Sequence, residues 1–166
     1  MNTFKRVFKV RKIIGVGSRR IVYDLGNGKV LKLAKSKFGI KSNKIEVKLY
    51  QSSSYNIKKN LAEIFSYNSR YRWLIMKKYT RKIPKTKAYK KRIFKLKHEF
   101  KRHGIIPYEI TTRYKKPNYK NISLKSNGQI VVLDFGNFKY LSSTPKRKRT
   151  QGSKPIQNNT PTEPFN

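Results

Sequence analysis

The chain has 166 residues, with 42 Lys and Arg against 7 Asp and Glu and a formal net charge of +35. That length holds one domain and a tail, and the lack of cysteine excludes disulfides, thiolate metal sites and cysteine nucleophiles. No apolar run approaches the ~18 residues of a membrane span, so a cytoplasmic protein without a transmembrane segment is expected, while the positive field attracts nucleotides, nucleic acid and anionic surfaces.

Hydrophobic residues are only 36% of the chain, but 11 Tyr and 9 Phe can fill a core with few side chains. Residues 4–14 alternate β-branched and aromatic types with basic ones, which predicts a strand. Gly15-Val16-Gly17 then makes a turn, a strand follows through Val22-Tyr23, Gly26-Asn27-Gly28 makes a second turn, and Val30-Leu31-Lys32-Leu33-Ala34 a third strand. Most Gly-x-Gly pairs are simply turns. Glycines between strands also let backbone N–H groups approach phosphate oxygens, and Arg19 and Arg20 would add charge there. Lys32 lies within an apolar strand, either on a solvent face or paired in a cleft.

Residues 42–52 predict a helix with Ile45 and Leu49 on one face. Glu46 has two readings: the third residue of a capping box begun by Asn43, or an ion-pair partner for Lys32. Residues 52–60 read as loop or frayed helix, and 61–67 with 71–76 as an antiparallel pair turning at 68–70. Lys77-Lys78-Tyr79 breaks the apolar run as a connector would. Tyr89, Ile93, Leu96 and Phe100 recur at helical spacing within 86–103, with Gly104 suited to the C-terminus. His98 and His103 read as surface residues. Asn127-Gly128 signals a hairpin joining strands at 122–125 and 129–133, and the second strand delivers Asp134 onto a turn. Residues 141–166 are polar and basic and read as a disordered tail. Within it, Lys146-Arg147-Lys148-Arg149 is a candidate for nonspecific nucleic-acid contact.

In this order and spacing the motifs resemble the protein kinase-like superfamily over roughly residues 10–140. Gly15-x-Gly17-x-x-Arg20-x-Val22 is similar to the glycine-rich loop, with Arg20 where the third glycine usually stands. Val30-Leu31-Lys32 looks like the strand of the phosphate-binding lysine, Glu46 like its helix partner, and Leu74 to Tyr79 like gatekeeper and hinge. Asn121 precedes Asp134-Phe135-Gly136 by the thirteen residues that the family uses between its two metal-binding positions.

The resemblance implies an α+β, kinase-like fold with an antiparallel β-sheet N-lobe over about 1–79 and a reduced C-lobe over about 80–140. It implies ATP and Mg²⁺ as cofactors. Gly15, Gly17, Val22, Lys32, Glu46, Met76, Lys77 and Tyr79 would then bind nucleotide, and Asn121 and Asp134 would hold the metal. Counting back five residues from Asn121 reaches Lys116 where the catalytic Asp is expected, so the resemblance implies either a serine/threonine kinase with a degenerate catalytic loop or a pseudokinase. Glu109 is the nearest upstream acid, displaced by seven residues. The alternative is a basic scaffold that binds nucleic acid or an acidic protein partner.

Overall fold

The computed structural model describes residues 11–141. The strand expected to begin at residue 4, as far as residue 10, the expected disordered tail from 142 onward and the candidate contact at Lys146–Arg149 lie outside the described residues. The described chain is α+β: a five-stranded antiparallel sheet with two helices inserted before its last two strands, then a further helix and two short two-stranded ribbons.

The sheet is built from β1 (Ile13–Val16), β2 (Arg20–Gly26), β3 (Lys29–Ala34), β4 (Ile64–Tyr67) and β5 (Trp73–Lys77), in the order β1-β2-β3-β5-β4. The turns joining β1 to β2 and β2 to β3 sit where the glycines are. Gly26, Asn27 and Gly28 all take positive φ (73°, 43° and 73°), a conformation that costs glycine little. The register pairs Val22 with Lys32 and Lys32 with Leu74, and Val30 with Met76. Paired residues share a face and side chains alternate along each strand. Arg20, Val22, Lys32 and Met76 therefore lie on one face of the sheet.

Between β3 and β4 runs α1 (Lys37–Ser52), followed by the single turn α2 (Tyr55–Lys58). α1 starts five residues before its predicted beginning, because Ser36, not Asn43, caps it: the Ser36 side chain accepts the Gly39 backbone N–H. Gly39, Ser42, Asn43 and Glu46 form a buried stripe at helical spacing that is small and polar rather than apolar. Tight packing explains the small members. A Cβ on Gly39 would stand 2.2 Å from the Arg19 carbonyl oxygen, and one on Gly136 would stand 2.8 Å from Ser42 Cβ.

The 86–103 prediction is observed as α3 (Lys87–Arg102), capped by Thr86, with Ile93, Leu96 and Phe100 buried and Gly104 at φ +72° just beyond it. The ribbon β6 (Ile105–Ile106) with β9 (Lys139–Tyr140) and the hairpin β7 (Ile122–Leu124) with β8 (Ile130–Val132) complete the fold. β7 and β8 turn through Gly128 at φ +77°. One continuous core joins Val30, Leu74 and Met76 of the sheet to Val47 of α1, Phe100 of α3, Val132 of β8, and Phe135 and Phe138 beyond it. Phe100 meets Phe138 edge-on at 5.4 Å. The core thus fixes the end of the hairpin against the sheet and α1.

Candidate functional site

Four charged side chains from four parts of the chain converge where β2, β3, α1 and the end of β8 meet. Glu46, fully buried on α1, accepts Lys32 Nζ on both oxygens (2.8 and 3.1 Å). It also accepts Arg20 Nη1 at 2.9 Å and the Phe135 backbone N–H at 3.0 Å. Arg20 Nη2 reaches on to Asp134 Oδ1 at 2.6 Å. Lys32 Nζ also donates to the Leu133 carbonyl at 2.7 Å. Asn43 accepts a further Arg20 N–H at 3.2 Å and spends its amide on the Tyr71 carbonyl. Two cations and two carboxylates balance in this cluster, which is how buried charges are tolerated.

The arrangement decides both open readings from the sequence. Lys32 is buried and paired, not solvent-facing, and Glu46 pairs with it instead of closing a capping box. The electrostatics follow from the geometry. Burial alone would raise the Asp134 carboxyl, but the charges of Lys32 and Arg20 outweigh it and hold Asp134 well below the usual carboxylate range. Likewise burial alone would lower the Arg20 guanidinium, yet Glu46 and Asp134 hold it above its ordinary value.

A second polar network lies at the same end of the hairpin, where the Leu133 N–H donates to the Asn121 carbonyl at 2.8 Å. The Asn121 amide donates to Glu109 Oε2 and to the Glu109 carbonyl, each at 3.3 Å. Asn137, one residue past Gly136, donates to Glu109 Oε1 at 2.5 Å. The Asn137 side-chain oxygen in turn accepts from Arg19 in the β1–β2 turn. Glu109 itself takes φ +67°, a conformation uncommon outside glycine. A cavity of about 710 Å³ opens beside it, walled by Lys97, Lys101, Arg113 and Lys139. Lys97 bonds to Thr111 Oγ1 at 2.8 Å, and burial, with the nearby Lys101 and Lys115 charges, lowers its pKa.

Glu109 was visible in the sequence only as a displaced acid, and the reason is a closed excursion. The Asn118 N–H donates to the Ile110 carbonyl at 2.9 Å, and Thr111 bridges Pro117, so residues 111–117 loop out and return to the point of departure. Glu109 lies twelve positions before Asn121; removing those seven leaves five. That is the separation at which the resemblance places a carboxylate. Lys116 sits in the excursion, exposed, where its backbone bonds to Thr112.

The remaining predicted residues are placed as follows. Gly15 pairs with Val22 across β1 and β2, and Gly17 stands at the turn, its N–H bonded to the Arg20 carbonyl at 2.9 Å. Met76 is buried at the end of β5, Lys77 is exposed with its N–H on the Glu63 carbonyl, and Tyr79 is half-buried against the core. His98 and His103 are exposed on and beside α3.

The donor set does not fit a resident Mg²⁺ as it stands. Asp134 Oδ1 is taken by Arg20, with the Lys32 charge beside it, and the Asn121 side chain is oriented by its amide N–H bonds to Glu109. Among the described residues no group of three or more His, Asp and Glu side chains is placed to hold an ion. Nor is any described helix long and apolar enough to cross a membrane. The chain matches no protein-family model, and no curated protein matches it.

Proposed function

We propose that the chain is a kinase-like nucleotide-binding protein that transfers the γ-phosphoryl group of ATP to a hydroxyl. The observation that carries this reading is the buried Lys32–Glu46 pair set against Asp134, with Glu109 held by Asn121 at the same hairpin end. Each member occupies a role that the resemblance assigns, and Glu109 fills the one that sequence counting left to Lys116. The sheet with α1 between β3 and β4, followed by α3 and the β7–β8 hairpin, supports the same kinase-like arrangement.

In this reading the turn carrying Gly15 and Gly17 covers the phosphates, and Val22 and Met76 flank the base along their shared sheet face. Lys77 and Tyr79 bracket the base through their backbone. Lys32, oriented by Glu46, contacts the phosphates. Glu109 accepts the proton of the acceptor hydroxyl as its oxygen bonds to the γ-phosphorus; the bond to the β,γ-bridging oxygen breaks and ADP departs. Asn121 and Asn137 aim the Glu109 carboxylate, so little reorganisation remains for the transfer itself.

Thermal-shift titration with ATP, paired with a radiolabelled γ-phosphate transfer assay, tests the proposal. Stabilisation with transfer that Glu109→Gln abolishes supports it in full. Stabilisation without transfer makes the chain a pseudokinase, and no stabilisation overturns the nucleotide reading.

A second reading, favoured by the basic walls of the cavity beside Glu109, is a scaffold for an acidic protein partner or nucleic acid. Its signature is affinity that falls steeply between low and moderate salt.

A further inference from the structure

We infer that Arg20 stands in the place of a divalent metal, so that this cleft takes nucleoside polyphosphates without Mg²⁺. The inference rests on the nucleotide reading above and departs from it in the cofactor.

A polyphosphate approaching an unpaired carboxylate is repelled, and a bridging divalent cation is the usual remedy. Here the remedy is covalently attached. The guanidinium of Arg20 reaches Glu46 at 2.9 Å and Asp134 at 2.6 Å, with Asn43 as third partner. Its side chain is 9% exposed, and each of its two Nη groups makes a charge-assisted hydrogen bond, stronger than a neutral one, to a different carboxylate. Asp134, 36% exposed at the side chain, is the member of the cluster that faces outward. With Arg20 and Lys32 set against Glu46 and Asp134, the cluster presents no net charge to an incoming phosphate.

A divalent cation meets the opposite situation. To reach Asp134 it must approach two fixed cations, Arg20 and Lys32, at a carboxylate whose Oδ1 already carries a charge-assisted hydrogen bond. Asn121, the second ligand that the resemblance implies, is held by its amide N–H bonds to Glu109. Glu109, the acid at the same hairpin end, is already held by Asn121 and Asn137, and the chain as a whole carries +35. Position 20 is where the resemblance places a glycine, which has no side chain to enter the site. An arginine there brings the charge of a cation while closing the cation's seat.

Two measurements test the inference separately from the nucleotide reading. In the first, ATP affinity of the full chain is measured by calorimetry with EDTA and with excess Mg²⁺. The native protein is expected to bind with dissociation constants within about threefold of each other. Arg20→Gln is expected to lose at least tenfold in EDTA and to regain affinity when Mg²⁺ is added. Native binding that appears only with Mg²⁺ overturns the inference and leaves the nucleotide reading standing.

In the second, Mn²⁺ is titrated without nucleotide and followed by electron paramagnetic resonance. The native chain is expected to leave the free Mn²⁺ signal intact, whereas Arg20→Gln gains one site that the additional change Asp134→Asn removes. A native chain that takes up one Mn²⁺ and loses it on Asp134→Asn overturns the inference. That native pair tests the closed metal seat even if Arg20→Gln fails to fold, whereas ATP binding in neither condition overturns the nucleotide reading and this inference with it.

Discussion

Glu46→Gln removes one negative charge from the most buried point of the cluster while keeping side-chain volume. The native carboxylate accepts four hydrogen bonds: two from Lys32, one from Arg20 and one from the Phe135 N–H. The amide keeps one acceptor oxygen and turns a donor toward two cations, leaving Arg20 and Lys32 with Asp134 as the one remaining carboxylate of the cluster. Breaking a buried pair from one side costs about 3–5 kcal/mol, because the surviving charge is left unpaired away from water. Against a total stability on the order of 5–15 kcal/mol for a domain, that is a large share. Urea unfolding at neutral pH, followed by circular dichroism, should show the midpoint falling with little change in slope. The double change Glu46→Leu with Arg20→Met leaves Lys32 and Asp134 as a balanced pair and is expected to recover much of the loss. A Glu46→Gln loss below about 1 kcal/mol, or a double variant as damaged as the sum of its parts, would refute the reasoning.

Other consequences are open to direct measurement. Because Asp134 is held below the usual carboxylate range, its contribution to stability is complete above the unfolded value of about 4 and fades as pH falls beneath it. The stability gap between the native chain and Asp134→Asn should therefore narrow between about pH 5 and pH 3; a gap that widens toward acid contradicts the ion pairing. If transfer occurs, Glu109→Gln should abolish it while ATP affinity stays within about twofold, and Lys116→Ala should leave the rate nearly unchanged; the reverse pattern restores Lys116 to the site. Gly39→Ala places a Cβ 2.2 Å from the Arg19 carbonyl oxygen. It is expected to lower stability by about 1–3 kcal/mol on thermal unfolding, and a neutral result would mean that the β1–β2 turn is not packed on α1.

Much of the fold was legible because hydrophobic period and turn chemistry agree locally. The strands around Gly26-Asn27-Gly28, the α3 periodicity and the hairpin at Asn127-Gly128 all depend on residues near one another in the chain. The cluster of Lys32, Glu46 and Asp134 was legible for another reason: acids are so few that each one is conspicuous. What escaped was set by space rather than sequence. The α1 start was missed because its buried stripe is Gly39, Ser42, Asn43 and Glu46, so an apolar pattern does not mark it. Arg20 gave no sign that its fork would join two carboxylates 26 and 114 positions away. Glu109 was hidden by residues 111–117, whose closure depends on the Asn118–Ile110 backbone bond. Nothing in the Tyr, Lys and Pro of that stretch shows that it returns to its start. Asn137 had no signal beyond its place after Gly136.

The central claim is that the face bearing Lys32 binds nucleotide phosphates, and ATP calorimetry on the native chain and on Lys32→Met tests it most directly. The account predicts saturable one-to-one binding by the native protein and at least tenfold weaker binding by a variant that remains folded. Equal affinity in the two proteins, or heat that titrates away with moderate salt in both, would contradict it.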